Sequence, residues 1–149
     1  MTLVQNKGNM SPTVSVLLVS PNQLEDAWRN AAHLIRLSQK RIESYEGMAD
    51  IYDNLASGSQ QLWLVTVEDK LKAALTTVVE QHPRKRILRV LHIGGFDMAI
   101  WFEDVLTALK VAATRMGCKA IQGDGRLGWV KKVPQYGFKE VTRSYEMEL

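Results

Sequence analysis

The sequence predicts a mixed α/β domain whose elements follow the order β-α-α-β-β-β-α-β-α-β. Three strand-like segments, at 61–67, 71–81 and 87–93, follow one another with short polar turns, as in an antiparallel meander. A helical pattern at 100–116 then leads into an apolar segment at 118–122. A strand reached through a helix normally lies parallel to the strand before it, so the second half of the sheet is predicted to be parallel.

The beginning of the chain divides into a lead-in and a first strand. Residues 1–12 are polar and are expected to be flexible, while residues 13–149 are expected to form one domain. Residues 13–19 are rich in β-branched side chains and predict a strand. Ser20 and Pro21 then mark a helix start, because serine caps helices and proline suits the first helical position.

Two helices are predicted before the meander. Apolar side chains recur at intervals of three and four from Leu24 to Tyr45, which gives the first helix one apolar face. Gly47 interrupts this pattern, and a shorter helix is predicted at 48–56.

The C-terminal part completes the predicted sheet. Gly94 and Gly95 end the meander, and the helix at 100–116 carries acids early and bases late, as the helix dipole favours. A short helix at 126–133 and a last strand at 138–148 are predicted after the parallel strand.

Composition and charge limit the classes of function. The chain has 149 residues, one cysteine and a net charge of +3, which is too mild to indicate nucleic-acid binding by itself. Cys118 has no disulfide partner within the chain and is interpreted as a small core residue, so a reducing compartment is expected. Neither a signal peptide nor a membrane-length apolar run is seen, so a cytoplasmic protein with no membrane partner is expected.

Two C-terminal segments resemble the GNAT (Gcn5-related N-acyltransferase) superfamily. Residues 115–121, Arg-Met-Gly-Cys-Lys-Ala-Ile, resemble the end of a helix and the strand that follows it in that family. Residues 135–141, Gln-Tyr-Gly-Phe-Lys-Glu-Val, resemble its closing Gly-Phe turn. The order of predicted elements is similar over nearly the whole chain. The resemblance implies a GNAT-like sheet and acyl transfer, with acetyl-CoA as the cofactor.

Four shorter motifs resemble small GNAT-like proteins of tailed phages and prophages. They are Leu-Trp-Leu-Val at 62–65, the basic turn at 83–86, the glycine pair at 94–95 and Arg-Leu-Gly-Trp at 126–129. Their order along the chain carries the resemblance. It implies a virion, assembly or host-interaction component, located in the host cytoplasm and in the virion if it is packaged.

The loop expected to hold the cofactor departs from the family pattern. GNAT proteins bind the CoA pyrophosphate with backbone N–H groups of a glycine-rich loop at a helix N-terminus, where the helix dipole favours anions. The corresponding residues 97–102 contain no glycine and no basic side chain. Asp97 adds a negative charge and Trp101 adds bulk at this place. This departure favours a protein without a cofactor.

Three residues just upstream offer an alternative cofactor site. Ile93, Gly94 and Gly95 could supply backbone N–H groups to the phosphates, since glycine permits close approach of a ligand. They are the candidate cofactor-binding residues if acetyl-CoA binds.

Candidate catalytic residues are few. The family often uses a tyrosine to protonate the leaving thiolate, and the matching position here is Val133. Tyr136 is the nearest tyrosine and is the candidate acid, with packing at the sheet edge as its alternative role. His92 is the best-placed candidate base, and Glu80 and His82 are others.

Other chemistries find little support in the sequence. The three histidines lie on separate predicted elements without metal-ligand spacing, so no metal site is expected. Basic side chains occur in two groups that form either a solvated surface or a phosphate-binding or partner-binding patch: Arg84, Lys85, Arg86 and Arg126, Lys131, Lys132. Trp101 and Trp129 are predicted to fill the cofactor cleft and turn it into core or into a partner surface.

Three functions remain open at this point. The first is a GNAT-fold protein with a degenerate acyl-CoA site that binds a phage or host protein, or a second copy of itself. The second is an active acetyl-CoA-dependent N-acetyltransferase with an atypical pyrophosphate loop. The third is a small nucleic-acid-binding module that uses the basic turn.

Overall fold

The strand-like segments of the sequence form one sheet whose six strands lie side by side in chain order. A computed structural model describes residues 3–6, 11–39, 46–124 and 133–149. The strands are β1 (Leu3–Asn6), β2 (Val14–Leu18), β3 (Gln61–Val67), β4 (Lys70–Gln81), β5 (Arg86–Gly95) and β6 (Ala120–Gly123). Neighbouring strands are antiparallel except β5 and β6, which are parallel.

Within the described residues, three α-helices cover the two faces of this sheet. They are α1 (Leu24–Gln39), α2 (Met48–Ala56) and α3 (Met98–Arg115). Helices α1 and α2 share one apolar cluster with the sheet, and α3 shares another. The chain is therefore three-layered, with the sheet between α1 and α2 on one side and α3 on the other.

The larger cluster, on the α3 face, is built around two tryptophans. Trp63 and Trp101 are both almost fully buried. The indole N–H of Trp63 donates to the hydroxyl of Thr77 at 2.9 Å, so the polar atom of this core side chain is satisfied. Residues of β2, β3, β4, β5 and α3 supply the rest of the buried cluster.

The start of α1 differs in detail from the expectation. Proline leads a single 3₁₀ turn, Pro21–Gln23, and Ser20 precedes it as the N-cap. The Ser20 hydroxyl lies 2.7 Å from the side-chain oxygen of Asn22 and 3.0 Å from that of Gln23. It makes no capping bond to a backbone N–H group.

Most predicted elements are confirmed. The mixed α/β class, the antiparallel meander and the parallel strand after the α3 crossover all form as expected. Strand β5 extends through Gly94 and Gly95, whereas the predicted strand ended at residue 93. The predicted continuation of α1 through residues 40–45 and most of the predicted helix at 126–133 lie outside the described residues.

The two ends of the chain correct the sequence analysis. Residues 3–6, assigned to a flexible lead-in, form the edge strand β1 and pair with β2 in register from Leu3–Leu17 to Asn6–Val14. The last strand predicted at 138–148 does not form in the part of the chain that the structure describes, and residues 139–149 are exposed. An alternating pattern favours a strand only where a neighbouring edge pairs with it, and no strand among the described residues does so here.

Candidate functional site

The candidate site begins where β5 loses one of its two neighbours. Strand β6 pairs with β5 from Ile87 only as far as Val90, opposite Gly123. Strand β4 continues beside β5 to Gly95. Among the described residues, β5 therefore has one free edge from residue 91 to residue 95. A free edge presents backbone N–H and C=O groups that a ligand or another chain can pair with.

A β-bulge lies at the start of this free edge. Thr76 of β4 faces His92, whereas Thr77 faces Val90, so Leu91 is an extra residue on β5. A bulge bends its strand and changes the direction of the side chains that follow. His92 consequently lies on the buried side that faces α1, where it is 7% exposed.

The two candidate cofactor-binding glycines lie in tight packing. A Cβ at Gly94 would be 2.0 Å from the carbonyl oxygen of Leu34 in α1. A Cβ at Gly95 would be 2.4 Å from the carbonyl oxygen of Lys72. Both glycines thus allow backbone to approach backbone, and their residue type is accounted for without a ligand. Ile93 lies on the opposite face and packs against the α3-side cluster. Cofactor binding by these three residues stays a prediction.

The N-terminus of α3 follows directly and carries an unusual cap. Asp97 is the N-cap residue, with φ 59° and ψ 42° in the left-handed region and no capping bond from its side chain. Its carboxylate lies 3.5 Å from the ammonium of Lys72 on β4. The backbone N–H of Phe96 also donates to the carbonyl of Lys72 at 2.9 Å. This loop is therefore tied to β4 at two points.

The surroundings of this helix start are apolar as well as acidic. Phe96 is 56% exposed and Ile100 is 44% exposed, although both are large apolar side chains. No residue from 96 to 102 is basic. The first turn of α3 thus places a carboxylate and exposed hydrophobic groups beside the helix N–H groups that an anion would use.

Trp101 packs beneath this loop, while its predicted role of filling the cofactor cleft stays a prediction. It is 1% exposed, and its indole N–H donates to the carbonyl of Phe96 at 2.6 Å. Phe102 continues the aromatic cluster, and its ring contacts Tyr136 edge-on at a centroid separation of 5.0 Å. Trp129, expected beside Trp101, lies outside the described residues.

The candidate base and the candidate acid lie on opposite faces of the sheet. His92 faces α1, whereas Tyr136 packs against Phe102 and the α3-side cluster. Val133, the position of the family tyrosine, begins the 3₁₀ turn Val133–Tyr136. The structure therefore does not bring His92 and Tyr136 together across one pocket, and both catalytic roles stay predictions.

His92 has two polar neighbours that the sequence analysis did not single out. Its Nδ1 lies 3.5 Å from the hydroxyl of Ser38 in α1, and its Nε2 lies 4.0 Å from a carboxylate oxygen of Glu46. Ser38 donates its proton to the carbonyl of Ile35 at 2.7 Å. The sequence does contain one indication of this contact: Ser38 lies inside the apolar stripe of α1, and a polar residue at such a position indicates a buried polar contact.

Burial lowers the pKa of His92 below its ordinary value of 6.5, and the nearby Glu46 carboxylate opposes this shift. His92 is therefore held in its neutral form in the folded protein at neutral pH. A neutral imidazole can accept a proton, as a base must, but a buried imidazole has limited access to a substrate.

The lowered pKa of His92 predicts a pH dependence of stability. The unfolded chain binds the proton more tightly, so the free energy of unfolding should fall as the pH drops below about 6.5. The slope contributed by one histidine is at most about 1.4 kcal/mol per pH unit. Urea unfolding between pH 5 and pH 8 measures it. His92→Gln should reduce this slope, while the same change at the exposed His33 should not. If the free energy of unfolding had the same slope against pH in both variants, groups other than His92 would cause the dependence.

The other candidate bases, Glu80 and His82, contact each other, and Glu80 is also paired with Arg89. Glu80 lies 2.9 Å from the Nε of Arg89 and 3.1 Å from the Nε2 of His82. The hydrogen bond from Arg89 holds the pKa of Glu80 below its usual value. Glu80 is therefore an anion with a cationic partner, which makes it a weak base for an amine.

The basic groups of the sequence are only partly described. Arg84 and Lys85 are exposed in the turn between β4 and β5, while Arg86 is half-buried at the start of β5. Arg126, Lys131 and Lys132 lie outside the described residues. The basic turn thus presents two solvated cations, Arg84 and Lys85. In the part of the chain that the structure describes, no continuous basic face for nucleic acid is seen.

Metal-binding clusters and membrane-spanning helices are absent from the described residues. The described ranges hold no group of three or more histidine, cysteine, aspartate or glutamate side chains placed to bind a metal ion. No described helix is long and apolar enough to cross a membrane. Cys118 is half-buried and packs against the α3-side cluster, in agreement with its interpretation as a core residue.

Comparison with known proteins places the fold. No protein-family model matches the sequence, and no curated protein matches it. Solved structures do. An aminoglycoside acetyltransferase from an uncultured soil metagenomic sample is 14% identical, with a TM-score of 0.66 over 91% of this chain and 96% of its own. A GNAT family acetyltransferase of Staphylococcus aureus is also 14% identical, with a TM-score of 0.61 over 91% and 98%.

A third structure is a complex with a cofactor. Aminoglycoside N-acetyltransferase AAC(6')-Iy, solved with CoA, is 11% identical, with a TM-score of 0.65 over 96% of this chain and 99% of its own. At such low identity these likenesses establish the fold alone. The chain has the fold of GNAT acetyltransferases, as the sequence predicts.

Proposed function

We propose that the chain is a GNAT-fold protein of a tailed phage or prophage that binds a protein partner and no longer uses acyl-CoA. Its role is that of a virion, assembly or host-interaction component. On this proposal the protein keeps the acetyltransferase type of fold but not the cofactor chemistry that such folds normally serve.

The observation that carries this proposal is the N-terminus of α3. A pyrophosphate needs free N–H groups, a cation or both at such a helix start. Here Asp97 places a carboxylate there, and the only described cation that approaches it, Lys72, is already paired with that carboxylate. The glycines nearby, Gly94 and Gly95, are used to pack β5 against α1 and β4.

The filled interior beneath the loop supports the same conclusion. Trp101 is almost fully buried and hydrogen-bonded to the backbone of Phe96, so its indole belongs to the core. A cofactor passing this point would have to displace a side chain whose burial contributes several kcal/mol, about 3–5 for a tryptophan.

Partner binding is supported by exposed apolar side chains at the same place. Phe96 and Ile100 flank the start of α3, and exposed large apolar side chains that lie together are a feature of interaction sites. The phage and prophage assignment rests on the motif resemblance at 62–65, 83–86, 94–95 and 126–129.

A virion assay tests the partner claim. We expect the protein to be recovered with purified particles or assembly intermediates of the phage, and Phe96→Asp to reduce this recovery. Val111→Asp changes an exposed apolar residue farther along the same helix and serves as the matched control. Equal recovery of both variants would remove the α3 start as the contact surface, and a gene far from any phage gene would count against the phage role.

An active N-acetyltransferase is the second candidate, favoured by the free edge of β5. Residues 91–95 could pair with an extended ligand such as the pantetheine arm of acetyl-CoA, and His92, held neutral, lies on this segment. Acetyl transfer from acetyl-CoA to an amine, with release of free CoA, is the activity that would establish this candidate.

Asp97→Gly tests whether the Asp97 carboxylate repels acetyl-CoA or whether the acetyl-CoA site is absent altogether. If the carboxylate keeps CoA phosphates away, its removal should tighten acetyl-CoA binding about tenfold or more, because one like charge close to the phosphates is lost. Asp69→Gly is the matched control, since Asp69 is also left-handed, with φ 62°, in the β3–β4 turn. Isothermal calorimetry compares the two variants. Equal binding by both would show that Asp97 is not what excludes the cofactor.

A further inference from the structure

Three buried polar atoms between the sheet and the α1–α2 layer have no hydrogen-bond partner among the described residues. They are the side-chain oxygen Oε1 of Gln60, the hydroxyl oxygen of Thr76 and the ring nitrogen Nε2 of His92. The three side chains are 8%, 0% and 7% exposed, so each is more than nine-tenths buried. Native proteins pair such atoms with other protein groups or with ordered water, because an unpaired buried polar atom is destabilising.

The three side chains lie close together beneath α1. Thr76 is opposite His92 in the register of β4 and β5, and it is opposite Leu62 in the register of β3 and β4. Gln60 precedes Leu62 by two residues and is therefore a diagonal neighbour of Thr76. The carboxylate of Glu46 contacts both ends of this group, since it accepts from the Nε2 of Gln60 at 3.2 Å and lies 4.0 Å from the Nε2 of His92. The unpaired atoms thus belong to one small polar region beside Glu46.

The contact with Ser38 fixes which nitrogen of His92 carries the proton. The hydroxyl of Ser38 donates its one proton to the carbonyl of Ile35 at 2.7 Å. Toward the Nδ1 of His92, 3.5 Å away, this hydroxyl can therefore only accept. His92 is neutral because burial lowers its pKa, and a neutral imidazole has a single N–H, which is accordingly on Nδ1. The unpaired Nε2 is therefore an acceptor that requires a donor.

The other two unpaired atoms have equally definite roles. A carboxylate only accepts hydrogen bonds, so the amino group of Gln60 must face Glu46, and its Oε1 remains as a second acceptor. The hydroxyl of Thr76 has a proton to donate. The region therefore needs two donors and one acceptor, which is the hydrogen-bonding capacity of one water molecule.

We propose that Gln60, Thr76 and His92 bind one internal water molecule, which donates to Oε1 of Gln60 and Nε2 of His92 and accepts from the hydroxyl of Thr76. Three hydrogen bonds are usual for a buried water. This water joins β4 and β5 to the residue that precedes β3, and Glu46 extends the same network to the start of α2. The side chain of Glu46 is 29% exposed, so the water exchanges with solvent past this carboxylate. The site requires neither acyl-CoA nor a protein partner, so the purified chain is sufficient to test it.

Thr76→Val tests the site through the direction of its effect on stability. With the water bound, the substitution removes a hydrogen bond that the buried water needs, and the equilibrium constant of unfolding should rise about tenfold. Without a water, the substitution removes an unpaired buried hydroxyl, and the protein should be as stable as the wild type or more stable. Urea unfolding measures the difference, and the second result overturns the proposal.

Thr77→Val is the matched control for this measurement. Thr77 is the next residue of β4 and is equally buried, but its hydroxyl is bonded to the side chains of Trp63 and Gln61. Its replacement should therefore destabilise the protein whether or not the water is bound.

A crystal structure and the ¹⁵N NMR spectrum of the histidines identify the bound group directly. We expect an ordered water within about 3.2 Å of all three unpaired atoms, and a proton on Nδ1 of His92 at pH 7.5. A proton on Nε2 overturns the proposal, because Nε2 would then donate to Glu46 without a water. A crystal structure in which a protein atom, or nothing, occupies the place beside Nε2 overturns it as well.

Discussion

Gly94→Ala is expected to destabilise the protein by about 3 kcal/mol or more, because the new methyl group has no space. The Cβ would lie 2.0 Å from the carbonyl oxygen of Leu34 and 3.3 Å from the backbone nitrogen of Ser38. Both are backbone atoms of α1, so relief requires the whole helix to move away from β5. His92, which also faces α1, should become more exposed as a consequence.

Urea unfolding followed by circular dichroism measures this change. Gly123→Ala is the matched control, since its Cβ would meet Val90 at an ordinary 3.6 Å. We expect this control to remain within about 0.5 kcal/mol of the wild type. A stable Gly94→Ala variant would mean that α1 does not press on β5, and Gly94 would again be available to a ligand.

Trp101→Ala is expected to cost about 3–5 kcal/mol, since it empties the largest side chain of α3 from the core. The indole is 1% exposed and lies within the cluster that joins α3 to the sheet. Its loss also removes the hydrogen bond to the carbonyl of Phe96, which fixes the loop before α3. Thermal or urea unfolding gives the magnitude.

Two further variants separate packing from surface effects. Trp101→Phe keeps an aromatic ring but removes the N–H donor, and we expect a smaller loss of about 1–2 kcal/mol. Trp28→Ala removes a half-buried tryptophan that contacts Tyr52 at the α1–α2 surface and should also cost less. If Trp101→Ala cost no more than Trp28→Ala, the indole would not be a core element and the space beneath the loop could admit a ligand.

The sequence predicted those parts of the fold that depend on local pattern. The meander at 61–93 follows from β-branched and apolar strands separated by polar turns, and the parallel strand follows from the crossover helix. The fold class needed no tertiary information, because these signals agree with one another along the chain.

The features that sequence could not give depend on contacts between distant residues. Gly94 and Gly95 are equally suited to a phosphate loop and to close packing, and only the positions of Leu34 beside Gly94 and of Lys72 beside Gly95 decide between them. The polar neighbours of His92 come from α1 and from the segment before α2. The tail at 139–149 has a genuine strand pattern, but pattern alone does not supply an edge to pair with.

The central claim, a GNAT fold whose acyl-CoA site is lost, is tested most directly by titrating the wild-type protein with acetyl-CoA. A ligand at one hundred times its Kd adds about 2.7 kcal/mol to stability, so even micromolar binding would raise the Tm clearly at millimolar acetyl-CoA. We predict neither a saturable heat in calorimetry nor a shift in Tm. Saturable binding of one acetyl-CoA per chain, accompanied by a rise in Tm, would contradict the account and restore the acetyltransferase as the leading function.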